Sequence, residues 1–517
     1  MTQPAAATAP APMSPRDRAS GLLLHVTSLP SRYGIGDLGP GALAWIDRLH
    51  DAGQRWWQTL PLGPTGYGDS PYQPLSTFAG NELLLSPDWL IEEGLLRAGD
   101  WRPRSFPDST VDYGAAIGFK TELLGLLGAN FLARARPELK AAFEAFRHDQ
   151  RDWLDDYALF RAIKARHGGV HYLEWPAELV RREPAALARS RHALAEEIDA
   201  IRLAQFLFFR QAARLRAYGR SKGVGLIGDL PFFVSPDSSD VWANPALFLL
   251  DAGYRPRVIA GVPPDLFSAD GQRWGNPIYD WEALRRTGYR WYIDRLRTLL
   301  TQVDLIRLDH FRGFAAAWHV PADAPTATAG QWVPGPGAAL FEAIRRQLGD
   351  LPFIAEDLGL ITPDVEALRD EFHLPGSLVL QFAFDGEPEN PYLPANHPTN
   401  AVVYTGTHDN PTTREWATQL SPSERERLSN VLGRPAAESR EAAWELIRLA
   451  WASRAALAIA PLQDVLNLGP EGRMNQPGQG DGNWTWRATA AMLADAPWPA
   501  LRDLTARANR LRRRPPP

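Results

Sequence analysis

Cysteine is missing from all 517 residues. Its absence excludes disulfides, thiol catalysis and cysteine-ligated metals, and it fits a reducing cytoplasm. Long apolar runs are missing too: no stretch approaches the roughly eighteen residues of a membrane span. Neither sign of charge dominates, since 55 Lys and Arg against 60 Asp and Glu leave a net −5. That balance gives no reason to expect nucleic acid or an anionic membrane as a partner. The N-terminus lacks the basic start and apolar segment of a secretion signal, so the Ala/Pro-rich residues 1–19 read as a disordered tail.

Tryptophan and proline, by contrast, are abundant at 19 and 45. Trp is hard to bury completely, so a surplus suggests exposed aromatic platforms that suit sugar rings, or else a bulky core. The length exceeds what one compact core usually serves, which points to one large domain with insertions or to two or three domains.

Gly21 to Thr27 reads as a short strand, and Gly41 to Gly53 places Leu43, Ile46 and Leu49 at helical spacing. Trp56 to Leu62 reads as a second strand, so the three form a βαβ unit and imply a parallel sheet. The loop from Gly63 to Gln73 is rich in Gly, Pro and aromatics, but its glycines lack a phosphate-binding spacing. Residues 89–217 read as a helical insertion, with Ile201 to Tyr218 its clearest helix. Further strands are expected at Val224–Pro231, Val303–Leu308, Pro352–Leu358, Ser377–Phe384, from Ala401 and, more weakly, over Ala458–Leu466. About eight strands, mostly separated by helical segments and ending in polar clusters, predict an α/β fold: a (β/α)8 TIM barrel with large helical and loop insertions. The catalytic domain spans 20–508, with a functional loop insertion over 232–281 that holds Asp265, Gln272 and Trp274. The arginines and prolines of 509–517 read as a solvated tail.

The stretch Val303 to Gly313 organises the rest. Its strand ends in Arg307, Asp309, His310 and Arg312, and loops just past strand ends are where α/β scaffolds place chemistry. A carboxylate at Asp309 between two arginines has its ionised form favoured, as a nucleophile attacking a sugar carbon requires. The plainer alternative is an ion-pair cluster at a strand end. Glu356 follows apolar Phe353, Ile354 and Ala355, surroundings that raise a carboxyl pKa towards about 6 and suit a general acid. Asp409, between His408 and Asn410, is a polar third carboxylate. Retaining glycoside chemistry uses one nucleophile and one acid/base, and a third carboxylate can hold sugar hydroxyls. A Mg²⁺ or Mn²⁺ site is the competing use of three acids, but no His-x-His or Glu-x-x-His spacing accompanies them. His310 and His408 also have an ordinary structural alternative.

The motifs Arg307–Gly313, Ala355–Gly359 and Tyr404–Asn410 resemble the signatures of the amylomaltase family, the bacterial 4-α-glucanotransferases of glycoside hydrolase family 77. Ile227–Pro231, Gly261–Asp265, Gly271–Pro277 and Arg473–Asn475 add to the likeness, which runs from about Ser20 to Arg487. The resemblance implies a barrel of the α-amylase clan that acts on α-1,4-glucans with no cofactor and no metal. Carried over residue by residue, Asp309 matches the nucleophile, Glu356 the acid/base and Asp409 the transition-state stabiliser. Arg307, His408 and Asp229 match substrate-binding positions at the cleaved bond, while Tyr72 and Trp274 match aromatic subsite residues with Gln272 beside the latter. Departures stand at Pro411, Arg414-Glu415, Ala395, His397 and Ser377, none on the three carboxylates.

The expectation is therefore a cytoplasmic 4-α-glucanotransferase that transfers glucan segments between maltooligosaccharides, with glucose or a maltooligosaccharide as acceptor. A plain α-glucan hydrolase shares every catalytic residue, and a silent glucan-binding protein would use the Trp surfaces alone.

Overall fold

The computed structural model describes residues 14–264, 268–436 and 441–511. In chain order its strands are β1 (Ala19–Leu23), β2 (Trp56–Gln58), β3 (Gly225–Leu230), β4 (Val258–Val262), β5 (Gln272–Pro277) and β6 (Leu305–Leu308). They continue as β7 (Ala316–Pro321), β8 (Gln331–Pro334), β9 (Phe353–Ala355), β10 (Gly376–Val379), β11 (Ala401–Tyr404) and β12 (Leu457–Pro461).

Eight of these pair side by side, all parallel, in the order β10-β11-β12-β1-β2-β3-β6-β9. The two ends meet where Ala355 N–H donates to Pro375 O at 2.8 Å and Ser377 Oγ donates to Ala355 O at 2.9 Å. Asp357 reinforces that seam, accepting from Ser377 N–H at 2.7 Å while paired with Arg369 at 2.7 Å. The result is a nearly closed (β/α)8 barrel. Every residue of its eight strands is buried, because a parallel barrel is covered by helices outside and filled by side chains inside. The helix Pro40–Asp51 shows the covering layer: Ala42, Trp45, Ile46 and Leu49, one helical face, are its buried residues.

Between β2 and β3 the chain runs mainly through helices. Ala195–Lys222 contains the expected Ile201–Tyr218 helix and ends at Gly223, whose left-handed φ of 73° glycine adopts without steric cost. One helix among the described residues, Tyr113–Arg134, is long and apolar enough to cross a membrane by length and composition. It buries Phe119, Leu123, Leu127 and Phe131.

Two expectations need correction. The stretch 232–281 is not simply a long loop: β4 and β5 form an antiparallel hairpin that joins β7 and β8 in a second sheet, order β5-β4-β7-β8. β7 (Ala-Ala-Trp-His-Val-Pro) and β8 (Gln-Trp-Val-Pro) are not among the strands expected from the sequence, since Ala and Pro weaken the strand signal. Asp265 lies outside the described residues. The terminal tails are also shorter than expected. Residues 1–13 and 512–517 lie outside the described residues, but Ala19 already pairs with Leu457. Arg510, assigned to the solvated tail, is fully buried. Its guanidinium donates to the carbonyls of Ala19, Trp451, Ser453, Ala455 and Ala456 at 2.8–3.0 Å, clamping the open ends of β1 and β12. A charged side chain is buried this way only when all its donors are met. Trp45, Trp56, Trp57, Trp242 and Trp451 are fully buried, so part of the tryptophan surplus is the bulky core left open as the alternative to sugar platforms.

Arg510→Ala should therefore lower the unfolding free energy by about 3 kcal/mol, because several buried carbonyls lose their donor together. Urea denaturation followed by circular dichroism measures this, and a midpoint equal to wild type would return the segment to solvent.

Candidate active site

The charged residues gather at the carboxyl ends of the barrel strands. β3 and β6 are in register with Asp229 opposite Arg307. One guanidinium nitrogen, Arg307 Nη1, donates to Asp229 Oδ1 at 3.0 Å, Asp229 Oδ2 at 2.8 Å and Asp309 Oδ1 at 3.0 Å. Side chains of Arg307 and Asp229 are 6% and 0% exposed, whereas that of Asp309 is 27% exposed. Asp229 thus holds the arginine from behind, and the arginine presents its charge to Asp309. Tyr72 completes the rear support by donating its hydroxyl to Asp229 Oδ2 at 2.7 Å. Burial and the Asp229 charge push the Tyr72 phenol well up, so it stays a donor.

Glu356 ends β9 beside this cluster. His310 N–H donates to its Oε2 at 2.7 Å, Glu356 N–H donates to Leu308 O, and Phe311 N–H donates to Glu356 O. Burial is the main cause that pushes the Glu356 carboxyl up to about 8, with Arg307 opposing and Asp309 adding. Burial also pushes Asp309 up to about 7, against the pull of Arg307. The two carboxyls act on each other and titrate as a pair, and direct contact with Arg307 makes Asp309 the one that ionises first. Two details of the sequence reading change here. Burial outweighs the cation at Asp309, so its pKa rises rather than falls. Arg312 plays no part: it donates to Leu360 O at 2.6 Å and Thr362 Oγ1 at 3.0 Å, with its guanidinium over the Trp332 ring.

Asp409 sits on the loop after β11. Asn475 Nδ2 donates to its Oδ1 at 2.6 Å, and His408 Nε2 lies 3.4 Å from the same oxygen. Burial keeps His408 neutral despite Asp409. Its ring stacks on Tyr72, centroids 5.2 Å apart and planes within 9°, and Trp484 leans on both. Buried Asp464 holds the loop's base, accepting from Thr405 Oγ1 at 2.5 Å and Thr413 N–H at 2.9 Å. Across the site the β4–β5 hairpin carries Gln272 and Trp274, whose Nε1 donates to Gln272 Oε1 at 3.1 Å. The indole meets the His310 ring edge-on at 4.9 Å.

The structure joins Asp229, Arg307, Asp309, Tyr72, His408 and Asp409 directly or through one neighbour, and links Glu356 and Trp274 to them through His310. Three participants were not singled out from the sequence. Asn475 lay in a motif without an assigned role, Trp484 carried no local signal, and Asp464 lay inside the weakest expected strand, Ala458–Leu466. The departures noted above are accommodated locally. His397 is buried between Ser453 Oγ and Tyr392 O, Glu415 pairs with Arg473 at 3.3 Å, and Pro411 O accepts from Gln381 Nε2 at 3.0 Å.

A sequence model of one family, described as 4-alpha-glucanotransferase, matches residues 24–492. The 4-alpha-glucanotransferase of Thermus thermophilus is 49% identical over 96% of this chain and 99% of its own length. That of Synechocystis sp. is 50% identical over 92% of this chain and 95% of its own. Among solved structures, amylomaltase from Streptococcus agalactiae in complex with acarbose superposes with a TM-score of 0.92 at 37% identity, covering 96% of this chain and 100% of that one.

Removing the arginine alone should be more damaging than removing the pair. Arg307→Met strands Asp229 in a dry site and is expected to destabilise the fold by about 3–5 kcal/mol, while adding Asp229→Asn recovers a substantial part. Chemical denaturation of both variants checks this, and equal losses would mean that the pair is not energetically coupled.

Proposed function

The chain belongs to the 4-α-glucanotransferase family, glycoside hydrolase family 77, and on that premise we propose how its residues divide the reaction. It is a transferase acting on α-glucans and maltooligosaccharides. In our reading Asp309 attacks the anomeric carbon of an α-1,4 bond, while Glu356 gives its proton to the departing 4-oxygen. The glycosidic bond breaks and an ester bond to Asp309 forms. The 4-hydroxyl of glucose or a maltooligosaccharide then attacks the same carbon, Glu356 takes its proton back, and Asp309 leaves as carboxylate. Two inversions give net retention.

The observation that carries this reading is the unequal setting of two neighbouring carboxyls. Asp309 has a guanidinium against it, and Glu356 has burial with one backbone N–H. Environments that push two acids apart are how one site holds a nucleophile and an acid together. Asp409, held by Asn475, is the group that grips sugar hydroxyls and stabilises the transition state. Tyr72, Asp229, Arg307 and His408 bind the sugar at the cleaved bond, and Gln272 and Trp274 bind on the hairpin side. In this proposal residues 19–510 form one catalytic domain that uses no metal or cofactor, and the enzyme works in the cytoplasm, which the lack of cysteine supports.

Given maltotriose alone, the enzyme should produce glucose and a ladder of longer maltooligosaccharides with little rise in total reducing ends. Transfer conserves the number of chains, whereas each hydrolysis adds one. An acceptor bound beside the glycosyl-enzyme outcompetes water through its high effective concentration. Chromatography with a reducing-end assay decides it: reducing ends rising in step with maltotriose consumed would make the enzyme a hydrolase.

The pH dependence follows from the carboxyl pair. Activity needs Asp309 ionised and Glu356 protonated, so kcat/KM should fall below about pH 7 and again above about pH 8. In Glu356→Gln the alkaline limb should vanish with most of the activity. A flat profile from about pH 5 to 9 would remove the pair from these roles.

A further inference from the structure

His310 directly follows Asp309 and holds φ at 47°, a left-handed backbone that residues with a side chain rarely adopt. That twist aims its N–H at Glu356 Oε2, 2.7 Å away, and among the described residues no other hydrogen-bond donor reaches the Glu356 carboxyl. The ring on the other side of the same residue is wedged among aromatics. It lies edge-on to Trp274 at 4.9 Å and to Phe232 at 6.1 Å, and tilts against Phe233 at 6.2 Å. Phe232 is pressed in from behind, since a Cβ on Gly313 would fall 2.6 Å from its ring. Burial, with some help from Arg312, keeps the His310 ring neutral, and its buried Nε2 has no hydrogen-bond partner among the described residues. A strained backbone and an unmet buried nitrogen both oppose folding, and such features persist where surrounding packing enforces them.

We propose that His310 is a positioning residue that couples Trp274 of the β4–β5 hairpin to the acid/base: the indole holds the imidazole, and the imidazole holds the twist that keeps the N–H on Glu356. A hydrogen bond from a backbone N–H favours the ionised carboxyl, the form that takes the proton of the incoming hydroxyl in the second half-reaction. A sugar resting on Trp274 thereby influences Glu356 without touching it. The coupling rests on the assignment of Glu356 as acid/base.

The other groups facing Glu356 are Arg307 and Asp309 from the end of β6, Asp357 beside it, and the phenols of Tyr392 and Tyr404. None of them belongs to the hairpin. A change at Trp274 reaches Glu356 either through His310 or by admitting water, and the two differ in sign: losing the N–H contact raises the Glu356 pKa, whereas relieving its burial lowers it.

The test is the pH profile of kcat/KM for full-length Trp274→Ala, His310→Ala and His310→Phe, with Glu356→Gln in parallel. Losing the N–H contact makes Glu356 harder to ionise, so in both alanine variants the alkaline limb should move up, by about one pH unit for His310→Ala. His310→Phe keeps a ring against Trp274 and should return the limb towards its wild-type position. Trp274 lies on the half-buried hairpin, so its variant decides the matter even if His310→Ala does not fold. A limb lost in Glu356→Gln but unmoved or shifted down in the alanine variants, with kcat/KM lower at every pH, overturns the coupling alone. A limb that persists in Glu356→Gln overturns the acid/base assignment and the coupling with it.

Discussion

Arg307 is a charged side chain taken almost wholly out of water at the mouth of the barrel. Its burial is tolerable only because Asp229, in register on the neighbouring strand, meets it with both carboxylate oxygens. Once the pair is in place it has a direction: the same nitrogen reaches Asp309, so a fixed positive charge faces that carboxyl. Tyr72 ties the hydroxyl of a distant loop to the pair and turns its ring against His408. The loop bearing Asp409 is thus supported against the same pair. Disturbing the Asp229–Arg307 contact would shift Asp309, the stacking face and Asp409 together.

The fold makes that arrangement possible by separating stability from chemistry. The barrel strands are short and fully buried, held by parallel pairing and by helices on the outside. Polar side chains appear where each strand runs out into a loop, which is where the burial requirement ends. Adjacent acids show how sharp that boundary is. Glu356 turns to the site, while Asp357 turns to Arg369 and the β9–β10 seam. One joins the cluster around Arg307 and the other closes the barrel.

The second sheet has a different task. Its hairpin, β4–β5, brings Gln272 and Trp274 over the charged cluster from outside the barrel, and β7, which pairs with β4, starts right after the helical turn that follows His310 and Phe311. Through β7, which follows the Asp309 loop along the chain, the hairpin is brought beside that loop in space. A substrate engaged on the hairpin meets groups mechanically close to Asp309 and Glu356.

Much of this was legible in the residues themselves. Apolar runs ending in Asp229, Arg307-Asp309, Glu356 and His408-Asp409 announce strands whose ends carry chemistry, because few other arrangements bury the one and expose the other. What the sequence could not supply is which of two neighbouring charges faces the site and which distant residue meets it. Arg312, five residues after Arg307, turns away to Leu360 and Thr362, and Arg510, at the far end of the chain, turns inward to the carbonyls between β1 and β12. Tyr72 and Asp229 are 157 positions apart, Asn475 and Asp409 are 66 apart, and no local pattern records either contact. Periodicity along a strand or helix is a short-range property of the backbone and can be read from the sequence, whereas partners across a barrel are chosen only when closure brings their strands side by side.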